Sequence, residues 1–317
     1  MIDYGIFYKD KFSYESDWNE ARTYDLFISA YSDAERVRKV YDKIQAARKL
    51  WLLMPEFKYD RAEFPPGQCY ANGHSSEAEF IQGMWTKLDL RRIPDRIAVD
   101  ITGFIRPYLM YLVLWLRLRG VRKFDALYSE PVVYSERGKT KFSDELVEEV
   151  RQVPGFEGEH NVDTSKDFLI VGSGYDHHFI AHVADYKRSS RKIQLFGLPS
   201  LKADMYMENR LRANAAAEDI GDGTSDHTEH LFAPANDPFT VASVLQTTVK
   251  RLKCRYGLTN LYLSPLATKP QALGFAIYYI YECLRTPTSI IFPYCASYPR
   301  RTAKGITNIW RYVVEFS

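Results

Sequence analysis

A chain of 317 residues, 46% hydrophobic and 26% charged, has the balance of a soluble globular protein with length for one large core or two modest ones. Its formal net charge of +2 removes any global electrostatic case for DNA, RNA or an anionic membrane surface. Only local basic clusters, KRSSRK (187–192) and YPRRTAK (298–304), stand as anion-site candidates, and the first reads more readily as a solvated face.

Taken in chain order, MIDYGIFYKDKF at the start lacks a basic region followed by an apolar core, so no targeting peptide is expected. TYDLFISA (23–30) predicts a strand, DAERVRKVYDKIQAARK (33–49) a helix and LWLLMPE (50–56) a strand. Residues 56–80 read as a long loop with a Pro-Pro-Gly turn. RIAVDITG (96–103), RPYLMYLVLWLRLRG (106–120) and KFDALYSEP (123–131) repeat the plan of strand, helix, strand. The helix in that unit is interrupted by Arg117 and Arg119 and is too short to span a bilayer.

DFLIVGSG (167–174), DHHFIAHVADYKRSS (176–190) and KIQLFGLPS (192–200) form a third copy. Residues 201–219 predict a helix by propensity, and 221–230 an exposed polar loop. DPFTVASVLQTTVKRLKCRYG (237–257) predicts a helix that starts at an Asp237 cap with Pro238 at the first position and ends at Gly257. NLYLSPLA (260–267), KPQALGFAIYYIYECL (269–284) and SIIFPY (289–294) make the fourth copy.

Short, nearly continuous apolar strands alternating with helices are the pattern of parallel βαβ units buried on both faces. The fold class that follows is α/β and Rossmann-like, with parallel sheets built from four such units in two pseudo-similar halves, about 20–150 and 160–317.

In open parallel sheets ligands sit outside the carboxyl ends of the strands. The candidates there are Ser29 with Tyr31 and Asp33; Asp100, Thr102, Gly103 and Arg106; Gly172, Ser173, Gly174, Asp176 and His177; and Ser264, Thr268, Lys269 and Gln271. Each group heads a helix, whose free amides and dipole attract anions. Plain helix capping asks for the same small polar residues. A cation in the first turn, as at Arg106 and Lys269, is disfavoured by the dipole unless an anion offsets it.

VGSGYDHH holds only GxG, with Asp176 where a third glycine is expected, and no GxxxxGK[ST] loop occurs, so neither NAD nor an ordinary P-loop nucleotide is indicated and no cofactor is expected. CYANGH (69–74) pairs one Cys with one His, with no second pair to complete a zinc site, so no metal is expected either. The cysteines Cys69, Cys254, Cys283 and Cys295 are widely spaced, which suits reduced thiols in the cytoplasm.

Asp100-x-Thr102-x-x-x-Arg106 follows the pattern Asp or Asn, any residue, Ser or Thr, three residues, Lys or Arg. It resembles the motif after a central strand in CARF domains, the Rossmann-like sensors of cyclic oligonucleotides in prokaryotic antiviral systems. SPLATKPQALG (264–274) is similar to the Thr-Lys turn that opens a helix in such sensors, and two such halves in one chain resemble the SAVED arrangement. The resemblance implies a nucleotide or cyclic-oligonucleotide sensing subunit with a protein partner or a second copy of itself.

TYDLFISAYSDAERVRKVYDKI also resembles the opening strand and helix of a TIR domain, a likeness that implies NAD or nucleoside hydrolysis. Glu56 and Glu130, at the ends of second strands, are the carboxylates such chemistry would use; contact with solvent at a strand end is their simpler reading. The expectations are thus a nucleotide-type small ligand without membrane or general nucleic-acid binding, then an enzyme, then a structural subunit.

Overall fold

A computed structural model describes residues 2–16, 23–73, 76–90, 92–134, 147–202, 207, 211 and 229–316. Most of the predicted 201–219 helix and 221–230 loop, together with His74, lies outside the described residues.

The first elements are β1 (Lys9–Ser13), β2 (Tyr24–Ala30), α1 (Glu35–Lys43), β3 (Ala46–Leu53), β4 (Gln68–Ala71), α2 (Glu77–Leu88), β5 (Ile97–Asp100), α3 (Arg106–Leu118), β6 (Lys123–Ser129) and β7 (Val133–Tyr134). There follow β8 (Val147–Gln152), β9 (Phe168–Ser173), α4 (His177–Tyr186), β10 (Arg191–Gly197), β11 (Glu229–Ala233) and α5 (Pro238–Tyr256). The last are β12 (Leu261–Pro265), α6 (Lys269–Glu282), β13 (Thr288–Cys295), β14 (Ala303–Lys304) and β15 (Asn308–Glu315).

Two compact units result. One comprises Phe7–Phe142 and Ser297–Ser317, the other Met1–Ile6 and Ser143–Ala296. The boundary therefore departs from the predicted halves: the last 21 residues belong with the first sheet. The cause is β15, which pairs antiparallel along the whole of β6, from Ile309 opposite Ser129 to Glu315 opposite Lys123.

The first unit holds a seven-stranded sheet in the order β1-β15-β6-β5-β2-β3-β4. Strands β2 to β6 run parallel, and their order by sequence rank within the unit is 3-2-1-4-5. The second unit holds a six-stranded sheet, β11-β10-β9-β12-β13-β8, whose five parallel strands again run 3-2-1-4-5. This is the strand order of Rossmann-type doubly wound sheets, so the α/β, Rossmann-like class stands, once in each unit. The central strands β2, β5, β9 and β12 have nearly every side chain buried, which is why they read as continuous apolar runs.

The 56–80 stretch is not one loop. It contains two 3-10 turns, β4 and the start of α2. The α2 start carries a closed capping box: Ser76 Oγ accepts from Glu79 N at 3.2 Å, and Glu79 accepts from Ser76 N at 2.9 Å. Helix α1 is also shorter than predicted, because residues 46–49 pair with β2 instead of continuing the helix.

Helices α5 and α6 pack against each other with Gly274 at the contact. A Cβ there would stand 2.4 Å from the Pro238 carbonyl oxygen and 2.8 Å from Val241 Cβ. Helix propensity alone favours alanine over glycine by about 1 kcal/mol. Overpacking against a backbone atom costs about 1–3 kcal/mol, and this contact has no flexible end to swing aside. Gly274→Ala is therefore expected to lower the melting temperature; a rise in differential scanning calorimetry would show that the helices part at no cost.

Candidate functional site

The switch point of a 3-2-1-4-5 sheet lies between its first and fourth strands, where the connections leave in opposite directions. These strands are β2 and β5 in the first unit, β9 and β12 in the second.

At the end of β5 the chain turns on its own side chains. Asp100 is fully buried; its Oδ1 accepts from Thr102 N at 3.0 Å and its Oδ2 from Ser29 Oγ, across on β2, at 3.3 Å. Thr102 Oγ1 accepts from Ser129 N at 3.0 Å and shares a proton with Ser129 Oγ at 3.1 Å. The buried Arg36 of α1 completes the knot by donating to the Ser129 carbonyl at 2.7 Å. Gly103 has no room for a side chain, because a Cβ would stand 2.2 Å from the Ala30 carbonyl oxygen.

Ser29, Asp100, Thr102 and Gly103 are thus brought together at one strand end, with Ser29, Asp100 and Thr102 in a single hydrogen-bond network. Arg106 opens α3 and is half-buried. The cation whose charge acts on Asp100 is Arg36, which sequence reasoning missed because ERVRK reads as a solvated helix face.

At the end of β9, Ser173 is likewise satisfied, its Oγ donating to Gln194 Oε1 on β10 at 2.9 Å. Gly172 and Gly174 are approached by protein: a Cβ would lie 3.2 Å from the Phe275 ring in the first case and 2.4 Å from the Leu266 carbonyl oxygen in the second. Asp176 caps α4, accepting from Phe179 N at 3.3 Å, and His177 leads that helix with its ring 4.1 Å from the ring of His178.

The end of β12 is different. Thr268 caps α6, accepting from Gln271 N at 3.3 Å and donating to the Ala235 carbonyl. Lys269 and Pro270 fill the first turn. Gln271 occupies the position from which a capping-box side chain reaches back to the cap amide, as Glu79 does in α2. It makes no such bond. Its side chain is 1% exposed, and neither Oε1 nor Nε2 has a hydrogen-bond partner among the described residues. The amide instead lies beside the end of β10, with Nε2 3.6 Å from the Cβ position of Gly197. Ser264 Oγ, buried on β12, also lacks a partner.

The carboxylates proposed for glycosidic chemistry are held elsewhere in the first unit. Glu56, in a 3-10 turn after β3, accepts from Tyr108 OH at 2.9 Å. Glu130 is 8% exposed rather than open to solvent, and accepts from Asn308 Nδ2 at 2.7 Å. In the YPRRTAK cluster Arg300 is bound to Glu63 and to the Phe57 carbonyl, with its guanidinium 4.1 Å from the Tyr59 ring centre. Cys69 lies in β4 and donates to the Pro65 carbonyl. No helix among the described residues is long and apolar enough to cross a membrane.

No family model matches the chain, and no curated protein matches it. Among solved structures it is similar to CobK precorrin-6A reductase, with 7% identity over 84% of this chain and 87% of that one and a TM-score of 0.25. It is also similar to an N-terminal ketoreductase from the macrolactin assembly line, with 11% identity over 89% and 72% and a TM-score of 0.24. At that level of likeness, function is argued from this chain's own residues.

Burial pushes the Asp100 carboxyl up from 3.8 to about 6, against the opposing pull of the Thr102 hydrogen bonds, Arg36 and Ser29. The folded state therefore holds this proton more tightly than the unfolded chain does. Its contribution is fully present below pH 3.8 and is lost as pH rises through about 6. The loss amounts to about 3 kcal/mol for a two-unit shift. Asp100→Asn keeps an acceptor for Thr102 N and carries no charge. Urea unfolding between pH 4 and 7 is expected to show a flatter profile for the variant than for the wild type; equal slopes would mean that another group titrates.

Proposed function

We propose that the Ser143–Ala296 unit binds a nucleotide at the carboxyl end of its sheet, where α6 begins. The observation that carries the proposal is Gln271, a buried primary amide with both polar atoms unpartnered among the described residues. A polar group left unsatisfied in the interior costs about 1–3 kcal/mol. A ligand offering a donor and an acceptor side by side removes that cost on binding. A ribose hydroxyl or a base edge does so, and a primary amide pairs bidentately with adenine. The positive end of the α6 dipole and the charge of Lys269 suit the phosphate of the same molecule.

Binding without turnover is the form of this function that the side chains support. Glu56 and Glu130 are both engaged within the protein, and neither lies in the unit that carries Gln271. The finer reading, a sensor of nucleotide or cyclic-oligonucleotide signals that acts through a partner, rests on the CARF-like motifs at 100–106 and 264–274.

Gln271→Met separates a ligand contact from a packing residue. It replaces the amide by an apolar chain of similar length, so with no ligand present the variant should melt at or above the wild-type temperature. Calorimetric titration with AMP, ATP, NAD and cyclic di-AMP should show binding of at least one by the wild type and a loss of at least tenfold in the variant. Equal affinities, or no binding of any of these by the wild type, would contradict the proposal.

A further inference from the structure

Two basic segments of the Ser143–Ala296 unit, some sixty residues apart, meet at the amino ends of the strands, the opposite end of the sheet from Gln271. KRSSRK (187–192) leads into β10, and KRLKCR (250–255) ends α5; each carries four cations. Tyr256 joins them. The Arg191 guanidinium lies 5.1 Å from its ring centre and that of Arg255 5.2 Å. Lys166, just before β9, brings its Nζ within 3.3 Å of the Cβ position of Gly257. Arg188, Arg191, Lys253 and Arg255 are exposed, and Tyr256 is half-buried. A second tyrosine, Tyr186 at the end of α4, is 50% exposed with Lys187 Nζ 4.9 Å from its ring.

The negative end of the α5 dipole accounts for cations at Lys253 and Arg255. Lys187 and Arg188 stand likewise at the C-terminal end of α4, and Lys166 approaches Gly257, the cap residue of α5, whereas Arg191, at the start of β10, stands outside both helix ends. In a chain of net charge +2, cations gathered on one end are balanced by acids elsewhere. Of the acids at this end, Asp185 pairs with Arg188 and Glu229 with Arg251, Asp167 accepts from Thr259 Oγ1 and Asn260 Nδ2, and Asp163 lies near Lys166.

From this we infer that the surface around Tyr256 binds single-stranded nucleic acid, with Arg191, Arg255, Lys166 and the lysines of α5 on the phosphates and the tyrosines as stacking surfaces. Guanidinium groups resting on aromatic rings are the chemistry of sequence-tolerant single-strand binding, in which every base offers a face to stack. An anionic bilayer asks for a cluster of apolar side chains to insert, and among the described residues Val162 and Leu284 are the exposed large aliphatic ones at this end.

The test is fluorescence anisotropy of the full chain with labelled 20-nucleotide oligo(dT) and oligo(U) from 50 to 300 mM NaCl. About four phosphate contacts should give a log–log salt slope of about −3. Arg191→Glu with Arg255→Glu should weaken binding at least tenfold and bring the slope to about −1.4. Tyr256→Ala should weaken it about tenfold at an unchanged slope, since stacking releases no counterions. Arg191 also rests against Phe168, so Lys250→Glu with Lys253→Glu, at exposed helix positions, serves as the variant that keeps its melting temperature and still loses affinity. Gln271→Met should bind as wild type, so this surface and the nucleotide site fail separately. No binding at 50 mM salt, indifference to both charge reversals, or capture by phosphatidylserine vesicles without oligonucleotide binding would overturn the inference.

Discussion

A polar atom buried without a partner is the costliest thing a strand end can hold, and everything at the carboxyl ends of these sheets answers to that constraint. After β5 the chain meets it internally: a carboxyl, three hydroxyls, two backbone amides and a guanidinium close on one another across β2, β5, β6 and α1. After β12 it does not. The cap of α6 is made by Thr268 alone, and Gln271 is left with both amide atoms unsatisfied. Two sheets with one strand order thus end differently, one in a closed hydrogen-bond network and one with a buried amide unpartnered among the described residues.

The architecture makes that contrast possible because each unit places a switch point where two connections part. The space so created is then filled or left by single residues. Gly103 and Gly174 let backbone close over the strand ends, at separations of 2.2 and 2.4 Å from carbonyl oxygens that no Cβ tolerates. Backbone thus closes on both glycines, whereas the Gln271 amide at the α6 start has no partner among the described residues. A cost of about 1–3 kcal/mol per unsatisfied group is within what a fold of this size carries, and it is recovered when the group is paired.

The parts legible from sequence were those whose signal is local. Strands buried on both faces read as unbroken apolar runs, and α5 announced its limits through Asp237, Pro238 and Gly257, which the structure places at the cap, the first position and a left-handed C-terminal turn. Edge strands were missed because they carry charge: VEEVRQ in β8 and EHLFA in β11 alternate or face solvent, and nothing nearby marks them as strands. The assignment of the last residues to the first sheet depends on pairing between β15 and β6, about 180 positions apart in sequence, for which no local pattern exists. Helix α2 had its signal in the Ser76–Glu79 capping box, hidden by a loop reading that the Pro-Pro-Gly turn encouraged. Of the site, the residue set around Asp100 and around Thr268 was readable. Which set is closed and which open was not, because that is decided by Arg36, Ser129, Gln194 and Ala235, contributed by other elements.

The most direct measurement is a nitrogen-15 correlation spectrum of protein labelled only at glutamine side chains, with the Gln271 amide assigned by its absence in Gln271→Met. On saturation with AMP, NAD or cyclic di-AMP, the Gln271 pair of resonances is expected to move downfield as both amide atoms gain partners, while the Gln194 resonances, already bound to Ser173, stay in place. A ligand that saturates the protein and leaves the Gln271 resonances unmoved would contradict the assignment of this amide to recognition.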